Sequence, residues 1–162
     1  MPIRSAVELD CPHLSAIYNH YVEHSSATFA TVKETDEERF SWWCSHQENG
    51  LPVIVLEEDG QILGFASLSF YHQRCAYRRT VEASVYLHKD SQGRGLGGLL
   101  FERLLLAAKE EGFHAVLGLI CTENTASLKL VEKYGFEPVG LLREVGWKFE
   151  RWLDVAIWEK LL

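Results

Sequence analysis

Thr80-Val81-Glu82-Ala83-Ser84-Val85-Tyr86-Leu87 runs, through His88-Lys89-Asp90-Ser91, into Gln92-Gly93-Arg94-Gly95-Leu96-Gly97-Gly98, and this stretch decides the fold. Its first part reads as a strand of small, β-branched and aromatic residues. The second holds four glycines in seven residues, and Leu99–Glu110 behind it carries apolar residues at helical spacing. Strand, glycine loop and helix in that order clear Cβ atoms from a turn and aim a helix's unpaired N–H groups and positive dipole end at one place. A phosphate or pyrophosphate suits such a loop.

Gly93, Gly95 and Gly98 satisfy G-x-G-x-x-G, so a Rossmann dinucleotide enzyme is one reading. Two features count against it. His88 to Gln92 separate strand from glycines, whereas a Rossmann turn follows its strand at once. The acidic residue expected about 20 positions further on is also missing, since Ala115–Cys121 is apolar. No Gly-Lys-Ser/Thr closes the segment, which excludes a P-loop. A glycine-rich turn without a ligand is the plain alternative. His88, Lys89 and Arg94 around the loop favour an anion there.

Outward from this segment the pattern predicts a single domain over 1–162, with enough chain to bury about two-thirds of its unfolded surface. Helices are expected at Cys11–His24, with Asp10 as cap, and at Asp36–Gln47, flanking a loop, Ser25–Lys33, that contains Phe29. Val53–Glu57 and Gln61–Phe70 form a hairpin through Glu58-Asp59-Gly60. Ala115–Cys121 is a buried strand, Thr125–Tyr134 a helix, and Val139–Val145 and Trp152–Glu159 two further strands. The fold class is α/β, with a mixed, mostly antiparallel sheet flanked by helices and a βαβ unit around the glycine loop.

A net charge of −7 argues against a general nucleic-acid binder. No apolar run approaches the roughly 20 residues that span a bilayer, and the N-terminus lacks a signal-peptide core. A cytoplasmic protein without a membrane partner is expected. Cys11, Cys44, Cys75 and Cys121 are far apart, with no C-x-x-C and no histidine at ligand spacing, so neither a metal site nor a disulfide framework is expected.

Within the decisive strand, alternation puts Glu82, Ser84 and Tyr86 on one face and Val81, Ala83, Val85 and Leu87 on the other. A carboxylate in mid-sheet is costly unless paired or solvated. One reading is an ion pair with Arg74, Arg78 or Arg79; the other is a general base whose pKa is raised by partial burial. Asn124 caps the Thr125–Tyr134 helix, and the same helix end could face a ligand. The arginines before Glu82 suit a carboxylate or phosphinate through bidentate bonds.

These residues carry a family resemblance. Gln92-Gly93-Arg94-Gly95-Leu96-Gly97 resembles the Q/R-x-x-G-x-G/A acyl-coenzyme A loop of the GNAT superfamily of N-acetyltransferases, and Asn124 with Lys133-Tyr134-Gly135-Phe136 agrees. Ile17-Tyr18-Asn19-His20-Tyr21, Ala27-Thr28-Phe29, Tyr77 to Tyr86, Gly146-Trp147-Lys148-Phe149 and Arg151-Trp152-Leu153-Asp154 narrow the likeness to the phosphinothricin/methionine sulfoximine acetyltransferases.

The resemblance implies the GNAT fold, acetyl-coenzyme A as cosubstrate, no metal, a small amino-acid analogue as amine, and a homodimer. It implies cofactor contacts at Val85, Tyr86, Leu87, Gln92, Gly93, Arg94, Gly95, Leu96, Gly97, Gly98, Asn124 and Lys133, with a bulge splaying the strand so that Val85 and Leu87 offer backbone groups. It implies Glu82 as the catalytic carboxylate and Phe29, Arg74, Cys75, Ala76, Tyr77 and Arg78 as substrate contacts. Two positions depart from the pattern. Val131 stands where a tyrosine or histidine is expected to protonate the departing thiolate, leaving water, Tyr134 or unassisted departure. Ser25-Ser26 replaces an expected threonine pair. A transferase for protein N-termini and a non-catalytic acyl-coenzyme A sensor are the alternatives.

Overall fold

The structure, a computed structural model, describes residues 2–162. Its elements run β1 (Ile3–Ser5), α1 (Cys11–His24), α2 (Asp36–Glu48), β2 (Val53–Glu58), β3 (Gln61–Phe70), β4 (Thr80–Leu87), α3 (Leu96–Glu110), β5 (Ala115–Cys121), α4 (Thr125–Lys133), β6 (Glu137–Lys148) and β7 (Arg151–Leu161). One sheet of seven strands has the order β1-β2-β3-β4-β5-β7-β6. Only β4 and β5 are parallel, as the intervening α3 crossover requires. The expected mixed, mostly antiparallel α/β architecture is thus observed.

The hairpin between β2 and β3 turns at Asp59 (φ 51°) and Gly60 (φ 78°), two left-handed residues that match the twist of the strands they join. On one face of the sheet, Leu100, Leu104 and Ala108 of α3 meet Leu56, Leu68, Val81 and Val116, with Leu128 and Val131 of α4 against the same cluster. Each fully buried leucine there is worth about 2 kcal/mol. On the other face, Leu14 and Ile17 of α1 and Trp42 and Trp43 of α2 cover Val53, Val55 and Phe65.

Several local expectations give way to other physics. Asp10 makes no side-chain cap for α1; its carboxylate instead accepts from Arg4 at 2.7 and 3.0 Å and from the Val7 N–H at 2.8 Å. α2 has a reciprocal capping box, the Glu38 N–H donating to Thr35 Oγ1 at 3.1 Å and the Thr35 N–H to Glu38 Oε2 at 2.8 Å. α3 begins at Leu96 rather than Leu99, because the buried Leu96 side chain anchors the first turn in the core and the turn accommodates Gly97 and Gly98. β6 extends from Glu137 to Lys148, and its register shifts between Leu142 and Gly146. There Asp154 of β7 accepts the Glu144 N–H at 2.7 Å, holding Glu144 at φ 54°.

Candidate active site

β4 is continuous with β3 from Val81↔Phe70 to Leu87↔Gly64 with no register shift, so the expected bulge is absent from this ladder. The opening has a different origin. Parallel pairing with β5 covers only Thr80, Val81 and Glu82 against Ala115, Val116 and Leu117, after which the strands part. The His88 N–H donates to the Leu63 carbonyl at 2.8 Å, and from that bond the antiparallel alternation fixes which backbone groups face β3. Those of Val85 and Leu87 face the other way, into the gap.

A slot of about 60 Å³ occupies this gap, lined by Ala83, Ser84, Val85, Gly118, Asn124 and Val131 among others. At Leu87 the gap is bridged by Tyr21 of α1. Its hydroxyl donates to the Leu87 carbonyl at 2.8 Å and accepts from the Leu87 N–H at 3.2 Å and from Gln92 Nε2 at 3.1 Å. Tyr21 lies at helical spacing from Leu14 and Ile17, a pattern that by itself gives no sign of this role.

Beyond the slot, Gly93 (φ 75°) and Gly95 (φ 76°) take left-handed conformations, and nothing lies within 4 Å of where their Cβ atoms would be. The loop therefore shows bare backbone to open space, with Gly95 as the N-cap of α3. Gly98 is tied to α4: the Tyr134 hydroxyl donates to its carbonyl at 2.9 Å. Tyr134 thereby points at the start of α3 and does not line the slot, while Val131 does. Arg94 donates to the Glu58 carboxylate at 3.1 and 3.3 Å. Asn124 accepts from the Ser127 N–H at 3.2 Å, so it caps α4 and lines the slot at once. Lys133 ends α4, its ammonium 5.6 Å from the Tyr134 ring centre.

On the opposite face, Glu82, Ser84 and Tyr86 line a cavity of about 270 Å³ with Ser26, Ala27, Thr28, Phe29, Leu119, Cys121 and Val155. Ser84 and Tyr86 touch both spaces, so cavity and slot meet through the parted strands. Among the described residues Glu82 forms no ion pair. The arginine partner considered for it is absent. Burial alone pushes its carboxyl above the usual glutamate value. Burial likewise pushes the Tyr86 phenol up; its ring packs edge-on to Tyr18 and Tyr21, with centroids 5.3 and 5.2 Å apart.

Arg74, Cys75, Ala76, Tyr77 and Arg78 form an exposed turn ahead of β4, and none of them lines this cavity. The Arg78 guanidinium lies over the Phe70 ring, 4.8 Å from its centre. Phe29 reaches the cavity from the loop between α1 and α2. The structure thus joins Glu82, Phe29 and the β4 backbone, and leaves the arginine turn outside the cavity of its own chain.

A slot bounded by free strand backbone, a glycine loop at a helix start and a desolvated carboxylate across the sheet are the parts of an acyltransferase. Residues 14–136 match the acetyltransferase (GNAT) family, and the chain belongs to it. Phosphinothricin N-acetyltransferase of Streptomyces coelicolor is 42% identical, over 99% of this chain and 95% of the relative. The L-methionine sulfoximine/L-methionine sulfone acetyltransferase of Salmonella typhimurium is 38% identical, over 96% and 91%.

Among solved structures, an acetyltransferase of Salmonella typhimurium with its cofactor acetyl-CoA superposes with TM-score 0.98 at 38% identity, covering 100% of this chain and 94% of that one. A ribosomal-protein-alanine N-acetyltransferase of Brucella melitensis gives TM-score 0.98 at 37% identity, with both chains fully covered (100%). The protein is therefore an acetyl-CoA-dependent N-acetyltransferase, and the non-catalytic sensor is set aside. The open space beside Gly93 and Gly95 and the unpaired edge at Val85 fit acetyl-CoA. Among the described residues no helix is long and apolar enough to cross a membrane.

Proposed function

We propose that this chain, acting as one catalytic domain over 1–162, acetylates the α-amine of a small amino-acid analogue such as phosphinothricin, methionine sulfoximine or methionine sulfone. Transfer is direct, within a ternary complex, and Glu82 is the general base. The observation that carries this reading is a lone, desolvated carboxylate in a cavity that meets the slot between β4 and β5. The names of the two curated relatives supply the substrate class.

Bound acetyl-CoA supplies the acetyl group as a thioester. Backbone N–H groups from Gly93 to Gly98, with Gln92, Arg94 and Leu96 in the same loop, hold the pyrophosphate at the start of α3. The free backbone groups of Val85 align the pantetheine arm, with Tyr86 and Leu87 flanking them on β4, where Tyr21 already holds the Leu87 backbone, and with Asn124 and Lys133 on the α4 side. The Val85 N–H donates to the thioester carbonyl where negative charge develops. Glu82 removes the ammonium proton, directly or through a water, and Phe29 packs on the acceptor. Holding both reactants across the parted strands supplies much of the rate. Val131 offers no proton, and Tyr134 is committed to Gly98. Neither of these side chains would therefore protonate the thiolate, which would leave unassisted or take its proton from water, a thiol pKa of about 8.5 being low enough for either.

The protein works as a cytoplasmic homodimer in this account. Val139, Leu141, Val145, Trp147 and Trp152 are exposed on β6 and β7 at the sheet edge, an apolar surface suited to a second copy. Arg74, Tyr77 and Arg78, with Cys75 and Ala76 shaping the turn, lie outside the cavity of their own chain and recognise the acceptor's anionic end in the second copy.

Thiol release from acetyl-CoA, measured against amino-acid analogues, peptides and polyamines, tests the substrate class. Turnover confined to amino-acid analogues is expected. Turnover of peptides alone would establish the second reading, a protein N-terminal acetyltransferase, which the likeness to the Brucella melitensis enzyme favours.

A further inference from the structure

Lys148 is buried at 4% exposure, yet among the described residues no carboxylate lies within 4 Å of it. An ammonium is costly to bury unless its donors are matched. Here three carbonyls match three N–H groups: Lys148 Nζ donates to Ser25 at 2.7 Å, Thr28 at 2.8 Å and Tyr21 at 3.4 Å. The Tyr21 and Ser25 carbonyls lie at the C-terminal end of α1, where the helix dipole favours a cation. A helix cap explains those two bonds.

It does not explain the third. Thr28 lies beyond the helix, in the segment that walls the cavity opposite Glu82. The neighbouring residue is held by the same hairpin: a Cβ at Gly146 would overlap the Phe29 ring. Gly146 and Lys148 are buried on one face of β6, while Trp147 between them is exposed and packs on Trp152. Two inward positions of one strand thus grip Thr28 and Phe29 in succession. From the α1 side the Tyr18 hydroxyl adds a bond to Thr28 Oγ1 at 2.8 Å.

We propose that Lys148 is a positioning residue for the acceptor amine: by binding the Ser25 and Thr28 carbonyls it fixes the Ser26–Phe29 wall at the distance from Glu82 that the amine requires. This rests on the cavity being the acceptor site, as proposed above. Lys148 lines neither the slot nor the cavity, so its effect acts through the wall it holds and falls on the amine side of the kinetics.

Lys148→Met keeps the buried stem and removes the donors. Hydrogen exchange should accelerate about tenfold or more at the amides of Ser26–Ala30, with α3 and β4 unchanged, as loss of a charged hydrogen bond predicts. With methionine sulfoximine as the probe amine, KM should rise about tenfold, kcat should change less than about threefold, and acetyl-CoA Kd should stay within about twofold. Should this variant fail to fold, Lys148→Gln, which keeps an N–H donor pair but cannot satisfy all three carbonyls, is the second variant, and a smaller shift of the same exchange and KM split is expected. A lowered melting temperature with unchanged exchange in the loop and unchanged constants per folded molecule would reduce Lys148 to a helix cap and overturn the proposal. Equal losses for both cosubstrates would also overturn it. If wild type turns over no amino-acid analogue, the substrate reading fails by itself, and the exchange measurement still decides the clamp.

Discussion

The Tyr21 hydroxyl holds both backbone polar groups of Leu87, donating to its carbonyl at 2.8 Å and accepting its N–H at 3.2 Å. The same oxygen accepts from Gln92 Nε2 at 3.1 Å. One phenol thereby sets the spacing between the free edge of β4 and the entrance of the glycine loop. In the proposed function these are the two surfaces that acetyl-CoA contacts together.

Tyr21→Phe keeps the ring against Tyr86 and removes these bonds. Each is worth about 1 kcal/mol net, so the affinity for acetyl-CoA should fall about fivefold or more by calorimetry. An unchanged Kd would show that Leu87 and Gln92 hold their places without Tyr21.

The loop itself depends on left-handed backbone. At Gly95, with φ 76°, an added Cβ meets no atom within 4 Å, so the cost of Gly95→Ala is conformational, about 1–2 kcal/mol. That variant should bind acetyl-CoA about 5- to 30-fold more weakly while its far-ultraviolet circular dichroism is retained. Full affinity would mean that the loop is not the pyrophosphate site.

Glu82 also predicts how stability depends on pH. Folding raises its pKa above the ordinary 4.5 through desolvation, so the folded state favours the protonated form. The stability this contributes is fully present below the unfolded value and is lost as pH rises through the folded one. Glu82→Gln does not titrate. Its melting temperature, relative to wild type, should therefore climb as pH increases from acid to neutral; a constant difference would mean that Glu82 is solvated.

With Val131 in the slot and Tyr134 bonded to Gly98, neither side chain is free to protonate the thiolate. The pH profile of kcat should accordingly rise through one ionisation, that of Glu82, and reach a plateau. A descending alkaline limb in kcat would reveal a general acid.

The legibility of this chain follows from how local each signal is. α1, β3, β4 and β5 have the limits that periodicity predicts, since each is a long run with one or both faces in the core. β1 is three residues long, too short to display a period, and is defined only by its pairing with β2. β6 exceeded its expected limits because the bulge opposite Asp154 breaks the alternation midway. In the site, Glu82 was legible as the one carboxylate in an apolar strand, and the glycine loop as missing Cβ atoms. Tyr21 and Lys148 were not. Tyr21 reads as an aromatic on an apolar helix face and Lys148 as a hairpin charge. Their partners lie 66 residues away for Tyr21 and 120 or more for Lys148, so only the folded chain brings them together.

If Glu82 deprotonates a small amine beside the β4–β5 slot, Glu82→Gln removes that base while keeping its shape. Thiol release with saturating acetyl-CoA and methionine sulfoximine should fall about 100-fold or more, with acetyl-CoA Kd unchanged. Wild-type turnover by that variant across the pH range would contradict the account.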